Sequence, residues 1–198
     1  MSVSRWVHFI QKNRYVQECL LNQKKDTSSL SSLVDFPMSQ SDCIKLGTGF
    51  EKVLRDIILS YNMLSNLKGK NMKGVREKDH LFCDDSAKVI YFAELKGNIN
   101  LDTEKSHSTC QKCLDIVNEL SDTHQGYTIE WCLVACRYTT LSEISRTLCQ
   151  KYQSIHPHLM GVNEYLALLK IPEEFSQDDL KQFVNDLATE MFTLKKNS

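Results

Sequence analysis

Residues 127–137 constrain the fold more than any other segment of this chain. Read as a strand, they alternate Ile129, Trp131, Leu133 and Ala135 with Glu130, Cys132, Val134 and Cys136, so both faces are mostly apolar toward the end. Such a strand must be covered on both sides, which places it in the middle of a sheet. Two further strand signals, residues 79–83 and 88–96, flank Asp84-Asp-Ser-Ala87, whose composition is that of a hairpin turn, so the two strands should pair antiparallel. Elsewhere the apolar spacing is helical: one or two short helices in 3–21, an amphipathic helix from Glu51 to Leu64 preceded by Gly47-Thr-Gly-Phe50, and a helix from Ser106 or Ser108 to Leu120. Residues 141–152 and 162–169 follow, and a last helix opens at Ser176 and runs to Phe192, while 26–42 is a Ser-rich connection. No internal repeat is present. Helix, strand, strand, helix, strand and helices in that order predict an α/β protein.

The 198 residues suffice for one sizeable core, so a single domain over 1–198 is expected. Within it, 1–46 forms a helical arm and Ser-rich loop, 47–140 the core and 141–198 the C-terminal helices. No stretch approaches the roughly twenty apolar residues that cross a bilayer, and the N-terminal apolar patch is followed at once by Gln11-Lys-Asn-Arg14, unlike an export signal. A cytoplasmic protein with no membrane association is the expectation. The eight cysteines then read as reduced, partly buried thiols. Cys110, Cys113, Cys132 and Cys136 could instead hold zinc or an iron–sulfur cluster, but their spacing is only half that of such a site.

Residues 88–96 carry the chemistry. After Val89, Ile90, Tyr91 and Phe92 the segment ends in Glu94-Leu-Lys96, and the period of two puts carboxylate and ammonium on one face. Asp79 on the neighbouring strand adds a second carboxylate. Hard carboxylate oxygens suit Mg²⁺, which takes one or two of them and keeps water or substrate phosphate elsewhere in its shell. Asp79, Glu94 and the backbone carbonyl of Leu95 would hold the ion, with Mn²⁺ as its substitute. Lys96 would hold the attacking water or the scissile phosphate. The net charge is −1, yet residues 68–78 hold five basic residues against one acidic and lead directly into Asp79. Lys70, Lys73, Arg76 and Lys78 are therefore candidate DNA contacts. Asn98, Asn100, Asp102, Thr103, Lys105 and His107 are further candidates in the polar segment after Lys96, for which a solvated loop and helix cap are an equal explanation. His80 could neighbour the metal, but it alternates away from Asp79 and reads rather as a core or sheet-face histidine.

Asp79 followed by Glu94-Leu-Lys96 at the end of an apolar strand resembles the PD-(D/E)XK signature of restriction-endonuclease-like nucleases, over roughly residues 47–140. The run from Glu94 to Ser106 is most similar to small type II restriction endonucleases. The resemblance implies a mixed central β-sheet flanked by helices, catalytic roles for Asp79, Glu94 and Lys96, and double-stranded DNA as substrate. It also implies Glu51 as an auxiliary metal ligand, since some members use a helix carboxylate so; a first-turn place beside the helix dipole would account for Glu51 equally well. Lys78 stands where the signature has proline. Cutting both strands of a symmetric site implies a homodimer, or a heterodimer with a second subunit. The alternatives are a repair or recombination nuclease of the same fold and a noncatalytic interaction domain in which Glu94 and Lys96 form an exposed salt-bridge patch. The Gln-x-x-x-Tyr of RecB-like exonucleases is absent, because Gln111 is followed four positions later by Asp115.

Overall fold

A computed structural model describes residues 4–13, 15–16, 32–36, 38–61, 64–67 and 77–192. In chain order the elements are α1 (Ser4–Lys12), α2 (Gln40–Tyr61), β1 (Ser65–Asn66), β2 (His80–Asp84), β3 (Val89–Lys96), α3 (Thr103–Thr123) and β4 (Thr128–Ala135). A 3-10 turn (Leu141–Glu143), α4 (Arg146–Lys151), a second 3-10 segment (Gln153–His158), β5 (Leu159–Met160), α5 (Val162–Leu168) and α6 (Gln177–Phe192) complete the chain. They form two compact units, one of residues 1–60 with 174–198 and one of residues 61–173.

The first unit is helical. Its long helix α2 begins about ten residues before the expected start and runs through both Gly47 and Gly49. Ser39 explains the early start: its hydroxyl receives the Asp42 backbone N–H at 3.3 Å and donates to the Asp42 carboxylate at 2.7 Å, which satisfies groups a helix leaves open at its first turn. Gly49 does not break the helix. A Cβ there would lie 2.7 Å from Sδ of Met191 on α6, so the methionine side chain would have to shift to admit it. Phe50, Val53, Leu54 and Ile57 on α2 and Phe183, Val184 and Leu187 on α6 are buried, with the Phe50 and Phe183 rings edge to face at 5.6 Å.

The second unit contains an open five-stranded mixed sheet in the order β1-β2-β3-β4-β5. Strand β2 pairs antiparallel with both β1 and β3, and β4 and β5 continue parallel to β3. The hairpin forms as its turn chemistry demands: Asp84 Oδ1 accepts the backbone N–H groups of Ser86 and Ala87, and Lys88 turns through φ of 57°. From β3 to β4 the chain crosses over through α3, the connection a parallel pair requires. Helix α3 starts earlier than the serines predicted, because Asp102 is its cap and accepts the Lys105 N–H at 2.8 Å. The expected helix at 141–152 is broken, with Ser145 capping the short α4 through the Leu148 N–H. The two-residue strands β1 and β5 are additions to the sequence reading, too short to show a period.

Alternation sorts the sheet into two apolar faces. Leu81 and Cys83 of β2, Ile90 and Phe92 of β3, and Trp131, Leu133 and Ala135 of β4 pack with Cys110, Cys113, Ile116 and Leu120 of α3. On the opposite face His80 meets Tyr165 of α5, which packs against β4. The middle strand β4 is thus covered on both sides, as its double apolar pattern required.

Candidate active site

Glu94 lies on the α3 face, two residues beyond Phe92 and level with Leu133 of β4. Its side chain is 1% exposed, so an ionised carboxylate there would cost several kcal/mol if left without partners. Two ammonium groups meet it. Lys96 Nζ donates to Oε1 at 2.7 Å, and Lys112 Nζ, from α3, donates to Oε1 at 2.8 Å and Oε2 at 2.7 Å. The arrangement corrects the exposed salt-bridge patch of the noncatalytic alternative, because Glu94 is buried beneath a helix.

The β2–β3 register brings Asp79 to the same place. His80 pairs with Ala93, so Asp79, one position earlier, stands level with Glu94 just past the end of the ladder. There its Oδ2 accepts the Leu95 backbone N–H at 2.8 Å, the donor that a longer β2 would have bonded. Within a strand, N–H and C=O of one residue point to the same edge, so the Leu95 carbonyl also faces the Asp79 side. Asp79, Glu94, Leu95 and Lys96 therefore converge at one end of the hairpin. Burial pulls the Lys96 ammonium down, but the Glu94 carboxylate and, less strongly, Asp79 outweigh it and raise its proton affinity above the ordinary lysine value. Burial, with Glu94 adding to it, lifts the Cys113 thiol beside this cluster to about 12, so that sulfur stays protonated.

Lys78 is buried and its ammonium goes to Glu119 of α3 at 2.8 Å, which ties the start of β2 to that helix. Asn98 accepts the Asn100 N–H, Asn100 Oδ1 accepts from Lys151 of α4, and Lys105 pairs with Asp102 at the mouth of α3. Thr103 and His107 belong to α3 itself. Lys70, Lys73 and Arg76 lie outside the described residues. Glu51 belongs to the first unit, in the fourth turn of α2 and not its first, where it pairs with Arg55. Its dipole explanation is thereby replaced by an ion pair. Cys110, Cys113, Cys132 and Cys136 are buried, and burial holds the Cys132 thiol well above its ordinary range. Gln111 and Asp115 bond each other on the outside of α3.

Lys112 is the residue that sequence reasoning missed. It is eighteen positions from Glu94 and on a helix, so no strand period could reveal it; the available signal was its place one helical turn before the core residue Ile116. Among the described residues no group of three or more His, Cys, Asp or Glu side chains is gathered as a metal cage, and no helix is long and apolar enough to cross a membrane. Fold and cluster together define an α/β protein with a mixed, helix-flanked sheet and, at one end of its hairpin, a buried glutamate met by two half-buried lysines. No family model, no curated protein and no solved structure matches the chain.

Proposed function

We propose that the protein is a Mg²⁺-dependent endonuclease that hydrolyses phosphodiester bonds of double-stranded DNA, of the type II restriction kind, built on a restriction-endonuclease-like core. The observation that carries this reading is the register that sets Asp79 level with Glu94 while Lys96 shares the face of Glu94. The antiparallel hairpin, the α3 crossover and the parallel β4 beyond it support the same core. The donor set suits magnesium: two hard carboxylates and the Leu95 carbonyl leave room in an octahedral shell for water and substrate phosphate. Glu94 already attracts two ammonium groups, so this position stabilises positive charge. When bound, the ion supplies charge neutralisation at the phosphoryl oxygens, an activated water and stabilisation of the leaving 3′ oxygen.

The chain's own residues orient the reactants. The Leu95 N–H fixes the Asp79 carboxylate, Lys96 presents its ammonium to the attacking water or the scissile phosphate, and Phe92, Leu133 and Cys113 keep bulk water from Glu94. Two copies, or one copy and a second subunit, would place two such centres on the two strands of a duplex. The cytoplasm is the compartment this reading implies. Incubation of plasmid DNA with the protein and Mg²⁺, beside Glu94→Ala and Lys96→Ala, tests it: discrete fragments that both variants fail to produce are the expected result. Intact DNA under varied salt and metal, or normal cutting by both variants, overturns it.

A further inference from the structure

Glu94 holds one ammonium group more than it needs. A single ion pair neutralises a carboxylate, and Lys96 already provides it from two residues along the same strand. Lys112 nonetheless donates to both carboxylate oxygens from α3, at 2.8 and 2.7 Å. Asp79 also lies near enough to act on Lys96, its Oδ2 held by the Leu95 N–H. A divalent cation added beside the two ammonium groups on Glu94 brings two more positive charges to a carboxylate that is 1% exposed. Duplex phosphates are the natural neutraliser. The geometry also gives Lys112 somewhere to go: Glu94 is 1% exposed whereas Lys112 is 34% exposed, so its ammonium can turn outward without being stranded in the core.

We infer that Lys112 is a displaceable counter-ion that occupies Glu94 in the absence of metal and yields to it only when DNA phosphate is present to receive the released ammonium, so that metal and duplex bind cooperatively. The inference rests on the nuclease reading for the identity of the anion, and Lys112 acts here on binding order, as a positioning residue. Linkage makes the coupling reciprocal: whatever duplex adds to metal affinity, metal adds to duplex affinity.

Calorimetric titration of Mn²⁺ into the full-length protein, alone and with saturating random-sequence duplex, measures the coupling. Wild type should bind Mn²⁺ at least tenfold more tightly with duplex than without. Lys112→Met should bind Mn²⁺ without duplex at least tenfold more tightly than wild type and gain less from duplex. Adding Glu94→Gln to Lys112→Met should abolish the gain, which locates the ion at this carboxylate. Lys112→Gln, which keeps a donor for Glu94 without its charge, should behave as Lys112→Met and covers the case in which the methionine variant does not fold. The proposal is overturned if the folded Lys112 variants bind Mn²⁺ without duplex no more tightly than wild type, or if duplex leaves wild-type affinity unchanged. Plasmid cleavage by wild type is scored separately: an intact plasmid refutes the nuclease reading, whereas cutting with an unaltered Mn²⁺ affinity in Lys112→Met refutes the role given to Lys112 alone.

Discussion

Glu94 and His80 are near neighbours on one sheet, fully buried on opposite faces, and they are satisfied in opposite ways. His80 pairs in register with Ala93, the residue before Glu94, and its Nδ1 lies 2.7 Å from the hydroxyl of Tyr165, itself buried on α5. Glu94 meets two lysines whose side chains are about one-third exposed. A hydroxyl partner in a packed face fixes geometry and brings no charge, which is how a buried polar group is ordinarily accommodated. Ammonium partners that reach water can be exchanged for another cation. Burial alone therefore does not tell these two residues apart; the charge and exposure of their partners do.

Substitutions on the Glu94 side should act on activity. Glu94→Ala and Lys96→Ala are each expected to lower the Mg²⁺-dependent cleavage rate by about 10³-fold, the scale of removing a group that stabilises transition-state charge, as measured by single-turnover plasmid cleavage. On the His80 side the effects should appear in stability. Gly161 opens α5, and a Cβ there would fall 2.5 Å from the Thr139 carbonyl oxygen and the Thr140 nitrogen, both backbone atoms that cannot rotate away. Gly161→Ala should cost about 3 kcal/mol, the upper part of the range for overpacking, in urea unfolding, with cleavage per folded molecule retained. Tyr165→Phe removes the hydroxyl facing His80 and should cost about 1–2 kcal/mol by the same assay, again sparing cleavage. A large activity loss in Tyr165→Phe would break the distinction between the two faces.

The smallest expected effect concerns pH. The Lys96 ammonium titrates above the ordinary lysine value of 10.5, chiefly because the Glu94 carboxylate outweighs the burial that pulls it down. A raised lysine contributes stability that is fully present below its unfolded value and fades as pH rises through the folded one. The stability difference between wild type and Lys96→Met should therefore stay constant through neutral pH and shrink only above pH 10.5, as followed by urea midpoints. A difference that shrinks between neutrality and that value would contradict the ion pair.

Where local chemistry dictated structure, the sequence was legible. Residues 84–87 form the hairpin turn, the double apolar pattern of residues 127–137 marked β4 as a covered middle strand, and alternation put Glu94 and Lys96 on one face. Tertiary packing overrode local signals elsewhere. Gly47 and Gly49 suggested a break before Glu51, yet α2 runs through both; a Cβ at Gly49 would press on the Met191 side chain, whereas one at Gly47 would meet open space. Asp102 displaced the serines as the α3 cap because its carboxylate reaches the Lys105 N–H. In the candidate site, Asp79 depended on a hairpin register that its own sequence did not specify, and the pairing of His80 with Ala93 supplies it. Lys112 was hidden because a contact between a helix and a strand has no fixed spacing in sequence.

The central claim is that the Glu94 carboxylate is chemical and not structural. The most direct measurement is the single-turnover cleavage rate of supercoiled plasmid in Mg²⁺ by Glu94→Gln, which keeps the size of Glu94 and one acceptor oxygen and removes its charge, beside wild type, with circular dichroism confirming that both are folded. The account predicts discrete fragments from wild type and none above background from the folded Glu94→Gln protein. Cleavage by Glu94→Gln at the wild-type rate would contradict it.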